Sequence, residues 1–237
     1  MVTGGAAGIG LGIARHLLDR GTSVVVADSD EAACAKLRDA SNDRLHVVTA
    51  DVGTEEGAGK AIDAAVSIFG GVDLLCNNAG VHPIATVQEL DLAAWRETFR
   101  VNVDATLLCS KRALPVMEVA GAGAIVNIAS ISGLVPYQGG AAYASSKAAL
   151  IMLTKVLALE AGPLGVTVNC ICPGSIRSDE GAVASDPVPA HIPVGRRGTP
   201  DDVAHMVSYL ASPEAGYVNG AVFVLDGGAT VGRSRPR

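Results

Sequence analysis

The chain has 237 residues, 49% of them hydrophobic and only 3% aromatic, so it can bury a sizeable aliphatic core. A net charge of −6 with no basic run longer than Arg196-Arg197 excludes a nucleic-acid footprint, and no apolar run exceeds strand length, which argues against a membrane span. The five cysteines, at 34, 76, 109, 170 and 172, include no CxxC pair and are odd in number, as expected of reduced thiols in a cytoplasmic protein.

In chain order, β-branched apolar runs predict strands at residues 23–28, 45–51, 72–76, 124–130, 166–171 and 221–225. Helical periodicity falls near 9–20, 31–40, 55–69, 92–119, 142–161 and 200–211. Strict alternation of the two predicts an α/β domain, a parallel sheet with helices on both faces, and no linker or repeat divides residues 1–237. The stretch from Ile176 to Thr199 breaks the alternation. It is rich in Gly, Pro, Ser and Ala and follows the carboxyl end of a strand, where open α/β sheets bind ligands. A substrate lid near 178–197 is expected there.

Two features at the start of the chain point to a dinucleotide. Thr3-Gly4-Gly5-Ala6-Ala7-Gly8-Ile9-Gly10 is a glycine-rich turn leading into a helix, whose free N–H groups and positive dipole end suit a pyrophosphate. The next strand ends in Asp28, 18 residues after Gly10, where a carboxylate can bond both ribose hydroxyls of NAD. Asp28 would repel a 2′-phosphate, and Ala6, Ala7, Ser29 and Asp30 bring no cation beside it, so NAD is expected over NADP.

A second set of residues points to acid/base chemistry. Tyr143 and Lys147 stand four apart in a helical stretch and so share a face. An ammonium beside a phenol favours the phenolate and draws its pKa toward the working range. Ser130, thirteen residues before Tyr143, closes an apolar strand at the sheet edge, where it can bond a substrate oxygen. Asn102, inside the predicted helix 92–119, can bend that helix and hold a water. His82, His191, Val81, Ser132, Tyr137 and Gln138 are candidate cleft residues of lesser weight. Cys170 and Cys172 share a strand face without metal-ligand spacing.

Taken together, Thr3–Gly10, Asp51-Val52, Asn77-Asn78-Ala79-Gly80, Asn102, Ser130, Tyr143 to Lys147, Pro173-Gly174 and Leu225-Asp226-Gly227-Gly228 resemble the short-chain dehydrogenase/reductase family over essentially the whole chain. The resemblance implies a doubly wound Rossmann domain with a seven-stranded parallel sheet in the order 3-2-1-4-5-6-7. It implies Gly4, Gly8, Ile9 and Gly10 around the pyrophosphate, Asp51 and Val52 at adenine, and Asn78, Ala79 and Gly80 at the adenine ribose. Tyr143 would pass the proton and Lys147 would hold the nicotinamide ribose. Ser130 would position the carbonyl oxygen, Asn102 would hold a relay water through its backbone, and Pro173, Gly174, Ile176 and Ser178 would frame the nicotinamide. Two departures from the family pattern stand out: only Met1 and Val2 precede Thr3, so either the sequence starts late or the first strand is short, and the segment after Ser178 is shorter than the usual lid.

The expected activity is hydride transfer between NAD(H) and a small-molecule secondary alcohol or ketone. The alternatives are an NADPH-dependent 3-oxoacyl-carrier-protein reductase, against which Asp28 argues, and a non-catalytic dinucleotide-sensing module, against which the acid/base set argues. Excess Ala and Leu on the helices 92–119 and 142–161 suggests a partner surface, and the resemblance implies a homotetramer with these helices at one interface.

Overall fold

A computed structural model describes residues 1–40, 43–177 and 191–232. Its seven strands are β1 (Val2–Thr3), β2 (Val24–Asp28), β3 (Leu45–Thr49), β4 (Leu74–Asn77), β5 (Gly123–Ile128), β6 (Val166–Pro173) and β7 (Val222–Leu225). They pair in parallel in the order β3-β2-β1-β4-β5-β6-β7, the doubly wound Rossmann topology expected from the sequence. The helices are α1 (Gly8–Asp19), α2 (Glu31–Asp39), α3 (Glu55–Phe69), α4 (Leu92–Phe99), α5 (Ala105–Ala120), α6 (Ala141–Ala161) and α7 (Pro200–Leu210).

The β-branched run of β2 is buried from Val24 through Ala27, because helices cover both faces of the sheet. On one face Val25, Val48, Leu75, Ile125 and Val168 pack with Ile62 of α3, Cys109 and Met117 of α5, and Leu157 of α6. On the other, Val2, Val26, Cys76, Val126 and Ile171 pack with Ile13 and Leu17 of α1, Cys34 of α2 and Val207 of α7. All five cysteines are free and buried. The segment Ala141–Leu164 is long and apolar enough to cross a membrane. Here Ser146, Lys147, Leu150, Leu157 and Ala161 of that segment are buried, as in the core helix of a folded domain.

β1 spans two residues, yet it is central. Val2 pairs with Val26 on one side and Cys76 on the other. The Gly4 N–H donates to the Ala27 carbonyl at 2.8 Å and carries the pairing one step into the glycine turn.

Three of the boundaries that differ from the sequence expectation have an identifiable cause. The helix expected over 92–119 is two helices joined by a π-helical turn, Arg100–Asp104. The cause is Asn102 within that turn, whose side chain is fully occupied by neighbours from other elements. The strand expected to reach Ser130 ends at Ile128, because Ser130 caps the 3₁₀ turn Ile131–Gly133 by accepting from the Ser132 N–H at 3.1 Å. β3 stops at Thr49, two residues before Asp51, whose carboxylate turns the chain by accepting from the Gly53 N–H at 3.0 Å. The expected lid overlaps 178–190, which lie outside the described residues; Ser178 is among them.

Candidate active site

The carboxyl ends of β1 to β4 open into a cleft of about 470 Å³. Its lining includes Gly4, Gly8, Ile9, Asp28, Asp51, Val52, Asn78, Ala79 and Gly80, nine of the residues expected to hold the cofactor. Gly10 lies beneath them. A Cβ there would stand 2.1 Å from the Gly4 carbonyl oxygen and 2.5 Å from Asn78 Nδ2, so the turn closes only over a glycine. At Gly8 a Cβ would meet nothing within 4 Å, so the outer face of the turn is open. α1 begins at Gly8 with no side-chain cap and no acidic residue in its first turn, which leaves first-turn N–H donors free for an anion. Asp28 Oδ2 accepts from the Ala6 N–H and Oδ1 from the Asp30 N–H, both at 3.1 Å, which fixes the carboxylate at the cleft while each oxygen keeps a lone pair. A glycine turn with open space, free donors and a fixed carboxylate fits a nicotinamide dinucleotide.

Asn78 ties the glycine turn to β4. Its Nδ2 donates to the Thr3 carbonyl at 3.1 Å and the Gly4 carbonyl at 2.9 Å, while the N–H groups of Asn78 and Ala79 donate to Thr3 Oγ1 at 3.0 and 3.1 Å. Asp51 and Arg100 pair at 2.9 Å at another wall of the cleft, and Arg100 also grips Glu97 with two bonds of 2.7 Å.

The residues expected to carry acid/base chemistry stand at the Gly80 end. A Cβ on Gly80 would be 3.2 Å from Asn102 Oδ1 and 3.5 Å from Lys147 Nζ. Asn102 is fully buried: Oδ1 accepts from the Val81 N–H at 2.8 Å, and Nδ2 donates to the Val81 carbonyl at 3.0 Å and to Ser146 Oγ at 2.9 Å. Ser146 Oγ in turn donates to the Tyr143 carbonyl at 2.7 Å, so the π-helical turn is fastened to the helix that carries Tyr143 and Lys147. The turn holding Ser130 lies flat on that same helix, because Gly133 allows it: a Cβ there would sit 2.7 Å from the Lys147 carbonyl carbon.

Lys147 is buried, and its Nζ donates to the Ile128 carbonyl at 2.9 Å and lies 5.7 Å from the Tyr143 ring centre. Burial lowers its pKa to about 8. Burial raises the Tyr143 phenol, and a hydrogen bond with Ser130 pulls it back in part. The net shift is upward, opposite to the lowering expected from Lys147, because desolvation of the phenolate is the largest effect.

Pro173 ends β6, and the Gly174 N–H donates to the Leu225 carbonyl at 2.9 Å. Ile176 packs over Gly198 and lines a separate small pocket with Arg196 and Asp202, away from the main cleft's lining. Sequence reasoning assigned no role to Thr3, Arg100 or Ser146. Thr3 and Ser146 stand inside quoted motifs, as polar residues in otherwise small or apolar surroundings, and that is their signal. Nothing local marks Arg100, whose partner Asp51 is 49 residues away.

A family model described as enoyl-(acyl carrier protein) reductase matches residues 4–230. Among similar proteins, cis-4-hydroxycyclohexanecarboxylate dehydrogenase of Sinomonas cyclohexanicum is 40% identical, over 97% of this chain and 95% of its own length. The 2-(S)-hydroxypropyl-CoM dehydrogenase 3 of Xanthobacter autotrophicus is 38% identical over 97% and 95%. The 3beta-hydroxysteroid dehydrogenase 2 of Eggerthella lenta is 34% identical over 96% and 93%. With the glycine cleft, the Ser130–Tyr143–Lys147 cluster and this likeness along nearly its full length, the chain belongs to the short-chain dehydrogenase/reductase family, as an oxidoreductase that uses a nicotinamide dinucleotide and acts on CH–OH groups.

Proposed function

We propose that the whole chain acts as one catalytic domain that interconverts a secondary alcohol on an alicyclic skeleton and its ketone, with NAD as the preferred carrier. The observation that carries the chemistry is the gathering of buried Ser130, the Tyr143 phenol and buried Lys147, whose Nζ lies 5.7 Å from the Tyr143 ring centre, with the dinucleotide cleft alongside. In ketone reduction Tyr143 donates its phenolic proton to the carbonyl oxygen, and in alcohol oxidation the phenolate takes the hydroxyl proton. Ser130 holds that oxygen by a hydrogen bond. Lys147 orients the nicotinamide ribose, and its charge supports the phenolate. Pro173 and Gly174, at the end of β6, border the nicotinamide, and Asn102 keeps its backbone in an opened turn suited to holding a water. The bound nicotinamide supplies or accepts the hydride.

The alicyclic skeleton is supported by the relatives named for hydroxycyclohexanecarboxylate and hydroxysteroids. It is also supported by the exposed apolar side chains of Val81, Ile84, Leu134 and Val135 on the two loops beside Tyr143. The NAD preference rests on Asp28. Among the described residues, the guanidinium lining the same cleft, Arg100, is shared between Asp51 and Glu97. Measuring both dissociation constants tests this: wild type binds NAD more tightly, and Asp28→Ala shrinks the NAD/NADP ratio about tenfold. A wild type that prefers NADP, or a ratio unmoved by the substitution, overturns it.

A homotetramer through α5 and α6 is supported by the exposed Leu107, Val119, Met152, Val156 and Leu159 on these helices. Light scattering at micromolar protein is expected to give four times the chain mass, and a monomer mass contradicts it. The buried free thiols are compatible with a reducing cytoplasm.

A further inference from the structure

We propose that His82 and Tyr137 form a neutral polar anchor beside the catalytic phenol, which selects alicyclic alcohols carrying a second hydroxyl or oxo group over those with none. This rests on the alicyclic reading above and names the substrate class for the same site.

The two residues come from different loops, one after β4 and one after β5, and those loops are joined twice. The Ala85 N–H donates to the Gly139 carbonyl at 3.0 Å, and His82 Nε2 shares a hydrogen bond with the Tyr137 hydroxyl. Tyr137 is seated by Gly140: a Cβ there would stand 2.6 Å from Tyr137 Cζ, so the ring lies directly on the backbone where α6 begins. The wall is therefore preformed and needs no ligand to assemble it.

Its position is beside the reacting atoms. The His82 ring centre is 4.1 Å from that of Tyr143, and the Tyr137 hydroxyl is close enough to disfavour the Tyr143 phenolate. Both residues are exposed, and so are the apolar Val81, Ile84, Leu134 and Val135 around them. A lone polar pair in an apolar rim is the pattern by which a pocket fixes the orientation of a largely apolar ligand.

The pair's chemistry suits a neutral oxygen. Burial and the nearby Lys147 charge lower the His82 pKa, which favours the uncharged imidazole. A neutral imidazole and a phenol hold two donors between them, and their mutual bond uses one. One donor remains in either tautomer, together with a phenolic lone pair. That combination satisfies a hydroxyl or an oxo group and gives a carboxylate no ion pair.

The test is a panel of cyclohexanol, the cis and trans cyclohexane-1,2-, 1,3- and 1,4-diols, and 4-hydroxycyclohexanecarboxylate, each assayed with NAD. In wild type at least one diol is expected to exceed cyclohexanol about fivefold to tenfold in kcat/KM, the yield of one neutral hydrogen bond at a wet site. Tyr137→Phe and His82→Phe each keep the aromatic packing and are expected to bring that ratio near one, with the change falling in KM. If both variants preserve the ratio, or if wild type prefers no diol, the anchor is overturned. A preference for the carboxylate alone overturns the neutral pair in favour of a charged site. Wild type that turns over no cyclic alcohol while still binding NAD defeats the alicyclic reading itself, whereas equal turnover of cyclohexanol and the diols defeats only the anchor.

Discussion

The two halves of the sheet hold their functional groups by different means. On the β1–β3 side the cofactor cleft is shaped by backbone: a glycine turn, uncapped helix N–H groups and a carboxylate fixed by two N–H donors. On the β4–β6 side the acid/base groups stand on buried polar side chains. Asn77 Nδ2 donates to Asn127 Oδ1 at 2.9 Å, Asn127 Nδ2 donates to Thr154 Oγ1 at 2.9 Å, and Thr154 Oγ1 donates to the Leu150 carbonyl at 2.9 Å. This ladder ties β4, β5 and α6 together, and Asn102 with Ser146 adds a second tie above it. A pyrophosphate needs room and N–H donors, which backbone alone supplies. Proton transfer needs a hydroxyl and an ammonium held in fixed places, and a buried side-chain hydrogen-bond network does that inside a core.

The largest expected effect separates chemistry from binding. Tyr143→Phe removes the transferable proton and leaves the glycine turn intact. Turnover should fall about 10²- to 10⁴-fold with the NAD dissociation constant changed less than threefold. Comparable losses in both would show that the two halves are not separable.

Next is the buried charge. Burial lowers the Lys147 pKa to about 8 from the 10.5 of an exposed lysine, so the folded state resists its protonation. The cost of burying the ammonium is complete below pH 8 and is relieved as pH rises to 10.5, because there the unfolded chain binds a proton that the folded chain does not. Wild type should therefore gain stability relative to Lys147→Met across that window, by on the order of 3 kcal/mol. Denaturant unfolding of both proteins at pH 7 and pH 10 measures it, and a constant difference would refute the assignment.

The smallest effects sharpen the contrast directly. Gly10→Ala forces a Cβ against the Gly4 carbonyl and should destabilise the fold by about 1–3 kcal/mol while weakening NAD binding more than tenfold. Asn127→Leu removes the acceptor of Asn77 Nδ2 and the donor to Thr154 Oγ1 and should cost a similar ~1–3 kcal/mol, yet leave the NAD dissociation constant within twofold. Calorimetric melting with cofactor titration reads both. Equal NAD affinity in the two variants would erase the distinction between a backbone-built half and a side-chain-built half.

Where function depends on residues close in sequence, the sequence was legible. The glycine turn, the Asp28 carboxylate at a strand end and the four-residue spacing of Tyr143 and Lys147 are local patterns, and the alternation of strands and helices carries the parallel sheet, because each element buries its own apolar face. What only the tertiary structure decided are the long-range pairs. The π-helical turn at Arg100–Asp104 exists because Asn102 bonds Val81 and Ser146, 21 and 44 residues away. Arg100 is tied up by Asp51, and His82 meets Tyr137 across two loops, 55 residues apart. The direction of the Tyr143 shift was also outside the sequence's reach. A nearby lysine suggests a lowered phenol, but burial is a property of the packed fold, and here desolvation is the stronger force.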